Sequence, residues 1–157
     1  MATETAVETA ASSGEFNWQA GAIGGIVGSV VMGALVVVMN PPTLAVAIPS
    51  LYTLAPPPNL PVGFVVHLFH GAVLGVVFAG IASAIGADST ARVLGLGLGW
   101  GVLTWAVLAA LVMPQWLAAV GSPASPPFPN FAPPSLLWHA VYGLVLGGVF
   151  VWVQERV

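Results

Sequence analysis

A chain of 157 residues that is 58% apolar and only 4% charged, with a net charge of −3 and a mean hydropathy of +0.99, cannot supply the surface of a water-soluble domain, where roughly a quarter of residues are charged. No basic patch is present to meet nucleic acid. The absence of cysteine excludes disulfides, thiolate metal sites and a Cys nucleophile, so any metal would have to rest on His, Met or carboxylate.

In chain order, residues 1–16 (MATETAVETAASSGEF) are small, polar and acidic, which predicts a disordered tail; residues 17–157 then form a single membrane domain. No basic residue precedes the first apolar stretch, unlike the n-region of a cleaved signal peptide, so that stretch is expected to remain in the mature chain. Four spans are predicted, at about 18–39, 62–85, 91–113 and 135–153, each close to the roughly 20 residues that cross a bilayer as a helix. In the second, the large apolar side chains from Val62 to Ile81 favour insertion by about 5 kcal/mol in total.

All fourteen prolines fall in 40–61 and 114–134, outside these spans, as expected if the spans are uninterrupted helices. With four crossings both termini and the 86–90 turn share one side, where Asp88, Arg92, Glu155 and Arg156 also lie. The positive-inside bias makes that side cytoplasmic and places the chain in the cell membrane. Segments 43–55 and 115–120 are too short to cross and carry Tyr52 and Trp116, so each is expected at the outer interface or over the bundle.

A shift of 72 positions lays His67–Phe78 over His139–Phe150 with seven of twelve residues identical. Met39 and Met113 both precede proline-rich sequence, in a register that needs a two-residue gap. The chain thus reads as two tandem hairpins, about 18–85 and 91–153, inserted in the same orientation around a pseudo-two-fold axis along the membrane normal. The fold class is an all-α four-transmembrane-helix bundle. Gly71/Gly75 and Gly143/Gly147 are GxxxG pairs, and Gly21, Gly25, Ser29 and Gly33 form a similar ladder, which predicts packing faces where backbones approach closely. The third span offers Gly95, Gly97, Gly99 and Gly101.

His67, His70 and His139 are the ionisable groups inside the spans, and an intramembrane ionisable group is a functional candidate. His67 and His139 sit at matching depth, roughly 6 to 8 Å below the outer boundary. The bland reading has neutral imidazoles hydrogen-bonding between helices or to outer-loop carbonyls. A sharper one has His67 and His139 ligating a b-type haem. A third adds Met39 and Met113 to make a Met/His cluster suited to copper. A fourth is proton or solute passage past the histidines. His70, replaced by Tyr142 in the second copy, is expected to face lipid headgroups or a loop. No Ser-His-Asp set, paired carboxylate or phosphate-binding loop occurs, so hydrolytic and phosphoryl-transfer chemistry is disfavoured.

The stretches GAIGGIVGSVVMGALV, LVMP and LLWHAVYGLVLGGVF together resemble an uncharacterised family of small four-helix membrane proteins frequent in haloarchaea, some of which have been mislabelled as histidine kinases. The likeness covers most of residues 20–152 and is most specific in the HxxYGxxLGxxF run from His139 to Phe150. It implies fold and membrane location without an agreed activity, and no kinase feature is present in this chain. The resulting expectation is a non-enzymatic protein of the lipid bilayer that acts by helix packing. It would be a homo-oligomer or an accessory subunit of a larger membrane complex such as a respiratory one. The alternatives are a haem- or metal-binding redox protein and a small channel or transporter.

Overall fold

A computed structural model describes residues 16–156. Of the acidic tail only Phe16 is included; the rest of that expected disordered segment lies outside the described residues. Four helices are long and apolar enough to cross a membrane: α1 (Trp18–Met39), α2 (Leu60–Ala84), α3 (Thr90–Ala119) and α4 (Pro133–Gln154). The chain is therefore an all-helical, multi-pass membrane protein. Polar residues start three of these helices, because the first amide N–H groups have no partner within the helix. Asn17 accepts from Ala20 N–H at 2.9 Å, Asn59 from Val62 N–H at 3.1 Å and Ser89 from Arg92 N–H at 3.4 Å.

Each helix is apolar on all sides, so side-chain size rather than polarity selects the buried face. On α1 the buried set includes Gly21, Gly24, Gly25, Gly28, Ser29 and Gly33, while Ile23, Ile26, Val27, Val30 and Val31 are exposed. Small residues inside and β-branched residues toward lipid are what association without a hydrophobic drive requires. The helices pack in the order α2–α1–α4–α3, all neighbours antiparallel, and α2 makes little contact with α3.

Two of these seams are glycine crossings. A Cβ on Gly21 would lie 2.5 Å from the Gly75 carbonyl oxygen, and one on Gly25 would overlap the Gly71 carbonyl. Gly33, at the end of that ladder, leaves room for the Phe64 ring, 2.7 Å from where its Cβ would stand. Gly97 and Gly101 meet Gly143 and His139 in the same way between α3 and α4, whereas Gly95 and Gly99 meet nothing within 4 Å. The third seam, α1 with α4, uses a second ladder: Gly24 lies against Leu146 and Gly28 against the Tyr142 ring. Toward the charged end the bundle is filled. Phe78 and Phe150 meet edge to face at 5.5 Å, and Leu146, Ala79, Val93 and Ala20 are sealed around them.

The two GxxxG pairs are packed to different degrees, and the looser position is Gly147. A Cβ on Gly75 would overlap the Gly21 carbonyl, but one on Gly147 would stand 3.1 Å from the Val93 carbonyl oxygen and 3.5 Å from Leu94 Cα. Gly147 is therefore buried in a close contact, though a less extreme one than at Gly75, Gly97 or Gly143. The cause lies on the facing helix, where the counterpart of Gly21 is Val93. Its buried side chain occupies space that a glycine would leave empty, so α3 and α4 approach most closely higher up, at Gly97 and Gly101.

The expected end of the third span also needs correction. α3 does not stop at Met113 but runs through Pro114 to Ala119, so residues 115–119 extend the helix instead of forming a separate interfacial segment. A proline lacks the N–H that would bond the carbonyl four residues earlier, and its ring clashes with that carbonyl. The chain accommodates this by widening to a π-helix over Trp105–Val112 before the last α-helical turns, Met113–Ala119. The carbonyl left without its usual donor, that of Ala110, accepts the backbone N–H of Asn130 at 2.9 Å. After α1 the same device recurs on a smaller scale. A π-helical turn, Thr43–Ala47, leads into Ile48–Ser50, and the Ala45 carbonyl, deprived by Pro49, accepts Asn59 N–H at 2.7 Å. Both proline-rich loops are thereby tied back onto the helices. The 43–50 cap buries Leu44 and Pro49 against the start of α2, where Gly63 leaves room for the Leu44 carbonyl.

Candidate functional site: an intramembrane cleft

Because α2 and α3 stand apart, the proline-rich half of the bundle encloses a cavity of about 480 Å³ instead of a packed core. That size falls within the range of small-molecule sites. All four helices and the 43–50 cap contribute to its wall, and the three histidines lie on it together with Tyr142, Thr104 and Trp138. Exposed Phe69 and Val73 of α2 and Leu108 and Val112 of α3 form its rim, so it opens sideways between those helices.

The α1–α4 seam is closed by glycines that α3 lacks. Positions 72 residues beyond Gly24 and Gly28 are Leu96 and Trp100, both half-buried against the core. Glycines let α1 close onto α4, whereas α2 and α3 make little contact with each other.

The polar groups on the wall are oriented by the backbone. Buried His67 donates from Nε2 to the Ser29 carbonyl on α1 at 3.1 Å. A carbonyl only accepts, so Nε2 carries the proton and Nδ1 keeps a lone pair. His139 donates from Nδ1 to the Ser135 carbonyl one turn earlier at 2.7 Å, which leaves the lone pair on its Nε2. Tyr142 donates to the Gly71 carbonyl at 3.0 Å, joining α4 to α2. The Thr104 hydroxyl is turned onto the Trp100 and Gly101 carbonyls at 2.9 and 3.0 Å. Trp138 donates from Nε1 to the Met39 sulfur at 3.0 Å. Nearer the rim, the Tyr52 hydroxyl and His70 Nε2 share a hydrogen bond of 2.6 Å, so His70 faces the outer loop. Ser29 Oγ is buried without a partner, pressed against Gly71 at the α1–α2 crossing.

The cleft thus gathers His67, His139 and Met113 on one wall surface, but not Met39, whose sulfur is taken by Trp138 and which lies outside the lining. A four-residue Met/His cluster is therefore not assembled. Each imidazole keeps one ring nitrogen for a ligand and has the other fixed by a carbonyl, the arrangement that orients metal-ligating histidines elsewhere. Among the described residues no group of three or more His, Asp or Glu side chains could hold a metal ion. The sequence reading missed Tyr142, Thr104 and Trp138 as wall residues and missed the Gly24/Gly28 ladder. Extending the 72-residue comparison into the first and third helices would have exposed the change from Gly24/Gly28 to Leu96/Trp100.

Four apolar antiparallel helices around a cleft set within the spanning region define a small polytopic membrane protein. The chain belongs to the Family of unknown function (DUF6789), whose model matches residues 17–157. No curated protein and no solved structure matches it.

Proposed function

We propose that this is a non-enzymatic protein of the cell membrane, with cytoplasmic termini, that holds a lipophilic small molecule in the cleft. The observation that carries this reading is that the 480 Å³ cavity collects all three intramembrane histidines on a largely apolar wall. A packed scaffold alone has no use for an unfilled volume lined by ionisable groups. The sideways opening gives a bilayer-dissolved molecule a route in without crossing water. The glycine crossings serve as the rigid frame that keeps the walls in place.

We also read the two hairpins as a duplication. Gly25 on Gly71 and Gly97 on Gly143 are the same crossing 72 residues apart. Phe78 and Phe150, counterparts at that shift, meet each other. The two-residue gap between Met39 and Met113 coincides with the eight-residue π-helical segment of α3, whose wider turns absorb about that excess.

The test is extraction and mass spectrometry of the chain purified in mild detergent. A lipophilic compound near one per chain is expected, and Val73→Trp at the mouth and Ala109→Phe on the wall should each reduce it. Wild-type protein carrying only bulk lipid, unchanged by either substitution, would remove the reading. A haem absorption band or bound copper lost in both His67→Ala and His139→Ala would replace it with the redox alternative.

A further inference from the structure

The direction of the hydrogen bonds around the cleft narrows what it can hold. Deep in the cleft His67 Nε2, His139 Nδ1, Tyr142, Thr104 and Trp138 all donate to carbonyls or to sulfur, while the hydroxyl-bearing Thr43 and Ser135 also line the wall. Ser29 Oγ is sealed at a helix crossing with no accessible surface. The ring nitrogens left with a lone pair are His67 Nδ1 and His139 Nε2, on two different helices. A buried acceptor without a partner is unfavourable, so the complementary ligand brings donors.

It must also be neutral. Asp88, Arg92, Glu155 and Arg156 all lie at the opposite end of the bundle, and no carboxylate lines the cavity to balance an ammonium or metal cation, whose burial in hydrocarbon is costly. The surrounding rings of Tyr142, Trp138 and Phe69 suit a flat aromatic body.

Building on the reading of the cleft as a ligand site, we propose that its occupant is a lipid-soluble phenol of the hydroquinone type. Its hydroxyls donate to His67 and His139, and the corresponding quinone, which has only acceptors, leaves both imidazole lone pairs unpaired and binds more weakly. The proposal concerns binding alone and requires no electron transfer.

The experiment compares three probes on the full chain in lipid nanodiscs under anaerobic conditions, each corrected for uptake by empty nanodiscs: a short-chain alkyl hydroquinone, its quinone and its dimethyl ether. The hydroquinone should bind at least about tenfold more tightly than either of the others, the difference expected when a buried hydrogen bond is lost. His139→Leu should weaken binding of the hydroquinone more than that of the ether and so erode that preference, which a merely structural defect, weakening all three probes alike, would not do. If the quinone or ether bound as tightly as the hydroquinone, the donor requirement would be refuted while the cleft reading survived. If none bound above empty nanodiscs yet another compound co-purified, this ligand class would be wrong. If nothing bound and nothing co-purified, both readings would fall. Stoichiometric binding of added Cu(I) dependent on both histidines would identify a metal as the partner of the lone pairs and overturn the proposal.

Discussion

Replacing Gly71 by alanine tests whether backbone approach at the α1–α2 crossing holds the bundle together. The added Cβ would lie 2.7 Å from both the Gly25 carbonyl oxygen and Ser29 Cβ, and would overlap Ser29 Oγ. Restoring ordinary contact requires the helices to part by about 0.7 Å, a gap that forfeits a quarter to a half of each dispersion contact it opens. Overpacking of this kind costs about 2 kcal/mol, roughly a 30-fold fall in the folded-to-unfolded ratio. The assay is reversible unfolding in mixed micelles followed by circular dichroism. Gly99→Ala serves as the matched control, since nothing lies within 4 Å of a Cβ there. Ser29→Gly in the Gly71→Ala background should recover part of the loss, because it removes two of the three clashing atoms. The reasoning is refuted if Gly71→Ala is as stable as the parent, or if Gly99→Ala is equally damaging.

Tyr142→Phe removes the hydroxyl bonded to the Gly71 carbonyl and should cost about 0.6 kcal/mol, the average for such bonds in membranes, in the same unfolding assay. Trp138→Phe releases the Met39 sulfur; adding Met39→Leu to it should bring little further loss, and an additive pair of effects would speak against the N–H to sulfur contact. Asp88→Ala breaks an exposed pair with Arg92 at 3.0 Å and should change stability by no more than about 0.5 kcal/mol. The cysteine-free background permits single-cysteine labelling of intact cells or spheroplasts. Ser13→Cys and Asp88→Cys should react from one side of the membrane and Leu54→Cys from the other, and any other partition would refute the four-crossing topology.

Much of the architecture could be read from hydropathy, because a bilayer leaves a long apolar segment few options besides a helix. The first span matches α1 at both ends, and α2 and α4 differ from expectation by one or two residues at each end. α3 departs from expectation for a physical reason. Pro114 is a helix breaker only when the preceding turn is α-helical and its orphaned carbonyl has no other donor. Here the π-helical turn and Asn130 N–H remove both objections, and neither is visible in local sequence. The GxxxG spacing was similarly informative only in part. It marks Gly143 and Gly147 alike, yet how closely a neighbour can approach each one depends on the residue opposite, Gly97 in one case and Val93 in the other. The candidate site was half legible. Intramembrane histidines stand out against an apolar background, so His67, His70 and His139 could be singled out. Their tautomers depend on which carbonyls lie nearby, and that depends on packing. The opening between α2 and α3 was not legible, because which seam closes depends on which face of each helix carries the glycines, and Gly24 and Gly28 are seen to face α4 only in the packed bundle.

The contrast between the α1 glycines and their α3 counterparts bears on how such a molecule could be redesigned. A four-helix bundle with glycine at every helix contact would zip shut along its whole circumference and offer nothing but a featureless rod. Where α1 carries Gly24 and Gly28 against α4, α3 carries Leu96 and Trp100, half-buried against the core, and the one seam left ajar runs between α2 and α3. Trimming Leu96 and Trp100 to glycine is expected to draw α2 and α3 together and shrink that doorway.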